Sequence, residues 1–184
     1  TLRAELGLDP ERPLVLAMAG GDGFGPIERV VEALASNGLP AQLAVIAGRN
    51  PQLRRRLARG NGKGTVRVEG FVDNVHQWLQ AADVLVTKAG PTTIAEAAAL
   101  RLPMVLWGAI PAQETPNVEL VVREHAGDWA PTPDAAAEAV QQLLEHPAAA
   151  AEMGRRAGRL VEPGAAERIA NILWRTARRA AASG

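Results

Sequence analysis

The amino-acid sequence predicts an α/β fold: a doubly wound, Rossmann-like parallel sheet with helices on both faces and further helices at the C-terminal end. Short apolar runs alternate with segments of helical periodicity throughout the first two thirds of the chain. The runs are almost continuously apolar, as expected of strands that are buried on both faces. A chain of 184 residues can bury one hydrophobic core without disulfides, and this sequence contains no cysteine.

The elements follow from the spacing of apolar residues. Residues 14–19 are predicted to be a buried strand, and residues 26–38 a helix, with Pro26 in its first turn and Gly38 at its end. Ile169, Ile172 and Leu173 form one stripe near the C-terminus, which predicts a helix packed on the core. The other predicted strands are 43–47, 65–68, 84–86, 104–107 and a short one at Trp129, and the other predicted helices are 51–59, 74–82, 93–101, 116–125 and two or three within 134–182, broken near Pro147 and Pro163.

Charge and hydropathy exclude several classes of protein. Lys and Arg number 20 and Asp and Glu also number 20, so the excess of cations typical of a nucleic-acid-binding protein is missing. The sequence has no apolar run near the roughly 18 residues of a membrane span. Residues 1–13 are polar and do not resemble a signal peptide. We expect them to be an interdomain connection, and residues 14–184 to be a single domain.

A doubly wound sheet also predicts where a ligand binds. With strand order 3-2-1-4-5-6, strands one and four are neighbours, and a crevice opens outside their carboxyl ends. The loops after strands one, four and five (residues 20–25, 87–92 and 108–115) are therefore expected to converge at one edge of the sheet.

The first loop is rich in glycine. Four of residues 20–25 are glycines, which let a backbone approach a phosphate at the N-terminus of a helix. A tight turn is the alternative, but it would need fewer glycines. The loop does not match the dinucleotide fingerprint or the ATP-binding P-loop, and strand two is followed by Arg49 rather than by an acidic residue that would bind an NAD ribose.

The second loop combines charge with hydroxyl groups. Lys88 would place a positive charge near a diphosphate, and Thr92 and Thr93 would add hydroxyls and leading backbone N–H groups. Glu96 fits two interpretations. It could accept hydrogen bonds from two ribose hydroxyls, or it could form a capping box with Thr93.

The third loop carries amide and carboxylate groups. Gln113, Glu114 and Asn117 have side chains that can form hydrogen bonds with sugar hydroxyls. The alternative is a polar surface loop, with Thr115 as the N-cap of the next helix and Pro116 as its first residue.

Four segments together resemble a known family. They are the glycine loop, GFVDNV at 70–75, TKAGPTTIAE at 87–96 and IPAQETPN at 110–117. They resemble the C-terminal, donor-binding domain of GT-B glycosyltransferases of family 28, in the branch of monogalactosyldiacylglycerol synthases and processive diacylglycerol glucosyltransferases. The resemblance extends over about residues 6–173.

The resemblance implies a role for each loop. The glycine loop and the backbone of Thr92 and Thr93 would meet the diphosphate of a UDP-sugar, and Glu96 would bind the ribose. The backbone around Phe71 and Val72 would contact uracil, and the third loop would contact the sugar. The expected donor-binding residues are Gly21, Gly23, Phe24, Gly25, Phe71, Val72, Lys88, Gly90, Pro91, Thr92, Thr93, Glu96, Gln113, Glu114 and Asn117.

The resemblance also implies an activity. It is the inverting transfer of a hexose from UDP-galactose or UDP-glucose to a lipid acceptor such as diacylglycerol, without a metal or other cofactor. No catalytic residue is expected in this domain, because the general base would lie in a separate N-terminal domain that this chain lacks. The isolated domain is expected to be soluble and inactive, and the full-length enzyme to be peripheral on the cytoplasmic side of a membrane.

Some alternatives stay open. A related GT-B enzyme with another acceptor, a UDP-sugar epimerase and a non-catalytic nucleotide-sugar-binding module would share the donor site. The stretch 107–109 (WGA) and the pair Thr115–Pro116 depart from the branch on the sugar side of the site. They leave the choice between galactose and glucose open.

Overall fold

The computed structural model describes residues 1–21, 26–60 and 66–182. Six strands within these residues form one sheet with the order β3-β2-β1-β4-β5-β6, and every neighbouring pair is parallel. This is the predicted fold class and the predicted strand order. The strands are β1 (Leu14–Met18), β2 (Gln42–Ile46), β3 (Val66–Glu69), β4 (Val84–Lys88), β5 (Met104–Gly108) and β6 (Gly127–Trp129).

Helices connect the strands and form the C-terminal end of the domain. The predicted breaks near Pro147 and Pro163 are confirmed, since α8 begins at Pro147 and α9 begins at Ala165. The short helix α1 was not predicted. The helices are α1 (Leu2–Glu5), α2 (Ile27–Ser36), α3 (Pro51–Gly60), α4 (Val75–Ala81), α5 (Pro91–Ala99), α6 (Thr115–Arg123), α7 (Pro133–Glu145), α8 (Pro147–Ala157) and α9 (Ala165–Ala182).

The core lies on both faces of the sheet. Successive strand residues point to opposite faces, so Val15 and Ala17 pack against α2, α3 and α7, whereas Leu14 and Leu16 pack against α4, α5 and α6. Every residue of β1 is buried. This two-sided burial explains why the strands appear in the sequence as continuous apolar runs.

The segment before β1 packs on the domain. Leu6 and Leu8 are buried, and the Arg3 side chain donates to the carbonyl of Ala81 and pairs with Asp83 at 2.6 Å. Its role as an interdomain connection stays a prediction.

The prediction for the last helix is wrong in one respect. Ile169, Ile172 and Leu173 do form one stripe on α9, but they are 59–64% exposed and belong to neither core cluster. An amphipathic pattern specifies an apolar face without specifying what covers it. In the part of the chain that the structure describes, no helix has both the length and the apolar character to cross a bilayer.

Candidate functional site

The carboxyl ends of the strands bring the three predicted loops to one edge of the sheet. β1 and β4 are parallel neighbours, and β5 lies on the other side of β4. Helices α2, α5 and α6 follow these strands, so their N-termini lie at the same edge. A helix N-terminus carries unpaired N–H groups and a partial positive charge, which makes this edge favourable for an anion.

The backbone of the neighbouring loop holds the start of the first loop. The N–H of Arg49 donates to the carbonyl of Gly21 at 2.8 Å. Gly48 lies beneath this loop with φ +67°, and a Cβ atom there would lie 2.5 Å from the carbonyl oxygens of Gly20 and Gly21. The predicted residues Gly23, Phe24 and Gly25 lie outside the described residues. Gly21 itself is exposed at the edge.

Helix α5 begins earlier than the sequence predicts. Its N-cap is Gly90, its first residue is Pro91, and the N–H of Ile94 donates to the carbonyl of Gly90 at 3.0 Å. Thr93 is therefore inside the first turn, and the capping box with Glu96 does not form. The N–H groups of Thr92 and Thr93 precede the first bond of the helix and point out of its N-terminus.

Glu96 is half-buried in the second turn of α5. Side chains on a helix lean toward its N-terminus, so we expect the carboxylate of Glu96 to lean toward the sheet edge. It has no hydrogen bond or ion pair with any described residue. With the capping box excluded, its carboxylate is available to a ligand.

Lys88 is the last residue of β4, and its half-buried side chain lies between the first and third loops. A Cβ atom at Gly20 would lie 3.6 Å from the Cε of Lys88, and one at Gly108 would lie 3.9 Å from its Cγ. The register of β4 with β5 shifts at this position, so that the buried residue Trp107 has no direct partner on β4. Among the described residues Lys88 has no ion pair, so its ammonium group is available to an anion.

The structure separates the three predicted sugar ligands. Gln113 is exposed. Glu114 is only 5% exposed, and its Oε2 accepts a hydrogen bond from the N–H of Ile110 at 2.7 Å. The Nδ2 of Asn117 donates to the carbonyl of Ala89 at 2.9 Å. Helix α6 has Glu114 as its N-cap, so the alternative interpretation of Thr115 as the cap is wrong.

An aromatic ring and a guanidinium group stack beside the first loop. Phe71, in the loop after β3, is 54% exposed, and the Cζ of Arg49 lies 4.1 Å from the centre of its ring. Val72 is half-buried and packs against the core. Arg49 is a candidate that sequence reasoning missed, since it counted there only against NAD binding. Its position directly after a strand, at the predicted edge, is the signal that could have identified it.

A separate cavity of about 440 Å³ opens at the opposite edge of the sheet. Its wall includes Leu79, Leu102 and Leu143, and none of the predicted loops reaches it. The acidic residue of this wall, Asp83, accepts a hydrogen bond from the N–H of Leu14 at 2.7 Å and pairs with Arg3. This carboxylate therefore holds the start of β1.

Comparisons with known proteins agree with this architecture. The family described as "Glycosyl transferases group 1" matches residues 26–146. The chain is 39% identical over 180 residues to a probable chloroplastic monogalactosyldiacylglycerol synthase of Glycine max, covering 94% of this chain and 34% of the relative. It is 36% identical over 186 residues to monogalactosyldiacylglycerol synthase 1 of Arabidopsis thaliana, covering 97% of this chain and 35% of that protein.

Solved structures match the fold. The calicheamicin glycosyltransferase CalG4 superposes with a TM-score of 0.71 at 24% identity, covering 94% of this chain and 45% of that chain.

The chain spans about a third of the length of the curated relatives that it matches. The match over residues 26–146 includes α2, α5, α6 and strands β2 to β6. The chain belongs to the glycosyl transferases of group 1.

Proposed function

We propose that this chain is the donor-binding domain of a glycosyltransferase that moves a hexose from UDP to a lipid acceptor such as diacylglycerol. One observation carries the proposal: Lys88 ends β4, α5 begins three residues later with unpaired N–H groups, and the carboxylate of Glu96 in the second turn of α5 has no partner among the described residues. A diphosphate matches the cation and the N–H groups, and two vicinal ribose hydroxyls match the carboxylate.

The base and the sugar would lie on either side of the diphosphate. The Arg49–Phe71 stack offers a flat face of a kind on which a uracil ring can lie, and Val72 is next to it in the chain. Gln113 presents an exposed amide on the other side, in the loop after β5. The order of the strands along the edge thus supports a donor whose base lies over β2 and β3, whose diphosphate lies over β1 and β4, and whose sugar lies over β5.

This arrangement would assist the departure of UDP. In an inverting displacement, an acceptor hydroxyl attacks the anomeric carbon while the bond from that carbon to the diphosphate oxygen breaks. Negative charge develops on the departing diphosphate, where the N-terminus of α5 and Lys88 are already in place. The proton of the acceptor hydroxyl would pass to a base in another domain. We propose no metal or cofactor and no catalytic residue in this chain, which alone would hold the donor without transferring it.

The names of the relatives support the identity of the reaction. Both plant relatives are named as monogalactosyldiacylglycerol synthases, which favours transfer to diacylglycerol over epimerisation or simple binding. The chain covers only about a third of each relative, and we propose that the acceptor site lies outside this domain. We propose UDP-galactose or UDP-glucose as the donor, and a membrane surface as the place where the full-length protein meets its acceptor.

Calorimetric titration of the chain with UDP, UDP-galactose, UDP-glucose and NAD tests the donor site. We expect saturable binding of UDP and of a UDP-sugar, and none of NAD. Glu96→Ala should weaken the binding of UDP about 10- to 100-fold, because a carboxylate that accepts two hydrogen bonds from the ribose is lost.

Glu138→Ala is the matched control, because Glu138 is an exposed glutamate of α7 that lies beside Ser36 and Asn37, at the end of α2 opposite to the carboxyl edge of the sheet. It should bind UDP as the unaltered chain does. Equal binding of UDP by Glu96→Ala and Glu138→Ala would contradict the assignment of Glu96, and a preference for NAD would contradict the proposed function.

A further inference from the structure

Residues 110–114 form a turn that the side chain of Glu114 closes. The N–H of Ile110 donates to the Oε2 of Glu114 at 2.7 Å, and the N–H of Glu114 donates back to the carbonyl of Ile110 at 2.8 Å. Glu114 is one of the two buried polar residues in the described core. A buried carboxylate needs such partners, so its conformation and that of the turn depend on each other.

The turn contains a strained residue at its tip. The N–H of Gln113 donates to the carbonyl of Pro111 at 2.8 Å, which closes a three-residue turn around Ala112 with φ +64°. A residue with a Cβ atom is disfavoured at this φ, and such a turn persists only where its surroundings hold it in place. The consequence is that Gln113, the next residue, is exposed at the edge.

Further contacts fix this turn against the start of α5. The N–H of Ala89 donates to the carbonyl of Gly108 at 2.8 Å, and the carbonyl of Ala89 accepts from the Nδ2 of Asn117 at 2.9 Å. Glu114 also approaches the N-cap of α5, since a Cβ atom at Gly90 would lie 3.7 Å from its Oε1. Asn117 and Glu114 therefore connect the loop after β5 to the loop after β4.

We propose that Glu114 and Asn117 are positioning residues, which hold the strained turn so that Gln113 alone of the three presents its side chain to the sugar. The proposal rests on the proposed function for the existence of a sugar ligand. It differs from a site with three direct ligands, because the Glu114 side chain is buried with its Oε2 bonded within the turn, and the Nδ2 of Asn117 is bonded to Ala89.

The ligand-free chain provides the first test, which does not depend on the donor. Amide hydrogen exchange at Ile110 is measured by NMR in the unaltered chain, in Glu114→Gln and in Glu114→Ala, with thermal unfolding to show that each variant is folded. The glutamine retains an acceptor oxygen, so we expect slow exchange in Glu114→Gln and exchange at least tenfold faster in Glu114→Ala. Equal protection in all three would overturn the role of Glu114.

Calorimetry with UDP and with UDP-galactose or UDP-glucose provides the second test. The measured quantity is the ratio of the affinity for the UDP-sugar to the affinity for UDP. We expect Glu114→Ala and Gln113→Ala each to lower this ratio about tenfold and the double variant to lower it no further, because both act through the same amide. Glu114→Gln should keep the ratio, and Asn117→Ala should lower it while the amide of Ile110 stays protected.

The outcomes separate the inference from the proposed function. If the two substitutions lower the affinity ratio additively in the double variant, Glu114 contacts the sugar directly and the inference is overturned. Equal affinities of the unaltered chain for UDP and for the UDP-sugar would overturn it as well. If no form of the chain binds UDP, the proposed function fails, and the sugar-positioning role fails with it. The exchange data at Ile110 then still decide whether Glu114 holds the turn.

Discussion

At the scale of single residues, Lys88 is the most informative group of the site. It is one of only two lysines in the sequence, and the other strongly basic residues are arginines. It is half-buried at the end of β4, directly before the loop that leads into α5. An ammonium group in this place acts as a point charge on a phosphate, and its effect is largest where water is partly excluded.

Replacing Lys88 by methionine, which keeps most of the apolar stem, should weaken the binding of UDP at least about tenfold, because a charge-assisted contact to the diphosphate is lost. It should also reduce the dependence of this affinity on salt concentration. Titration at two ionic strengths checks both effects. Arg159→Met removes an exposed cation after α8 and serves as the control. A Lys88→Met chain whose affinity for UDP matched that of the control would contradict the role of Lys88.

The sequence predicted where the candidate residues lie better than it predicted their contacts. Lys88 and Gln113 are exposed or half-buried at the predicted edge, as a ligand site requires. The capping box of Thr93 with Glu96 was a serious alternative, and only the start of α5 at Pro91 excludes it. The burial of Glu114 was not predictable, because it depends on a bond to Ile110 across a strained turn.

At the scale of elements, Gly48 allows the loop after β2 to pack closely against the loop after β1. A Cβ atom at Gly48 would lie 2.5 Å from two backbone oxygens of the first loop, which is closer than real Cβ contacts allow. These backbone oxygens cannot move aside as the end of a flexible side chain can. The start of the glycine loop is therefore fixed by the loop after β2.

Gly48→Ala should lower the free energy of unfolding by at least about 2 kcal/mol, because the positive φ and the collision with Gly20 and Gly21 add to each other. Urea denaturation measures the loss. Gly38→Ala is the matched control: its φ is +64°, but no atom lies within 4 Å of its Cβ position, so it should lose only about 1 kcal/mol. Similar losses in the two variants would show that the close approach at Gly48 has no energetic consequence.

The existence of the elements was predicted more reliably than their limits. Apolar runs identify buried strands because both faces of this sheet are covered, and the breaks before α8 and α9 occur near prolines. The sequence predicts that α5 begins at Thr93, two residues later than it does, because Thr93 and Pro91 both fit the beginning of a helix. The exposed stripe of α9 shows that periodicity indicates a face and not its partner.

At the scale of the whole molecule, the strand order determines where the domain can bind a ligand. Right-handed crossovers between parallel strands leave few topologies, so the order β3-β2-β1-β4-β5-β6 was predictable from the alternation of elements. It brings the loops after β1, β4 and β5 together although they are far apart in the chain. The acceptor was not predictable in the same way, because the proposed acceptor site lies in another domain.

The central claim is that a UDP-sugar binds at the carboxyl edge of β1 and β4. The most direct measurement is the change in backbone amide chemical shifts when UDP is added to isotopically labelled chain. We expect the largest changes at Lys88, Thr92 and Thr93, whose N–H groups lie at the end of β4 and at the start of α5. Changes confined to the cavity at the opposite edge, around Gln80 and Leu102, would contradict the account.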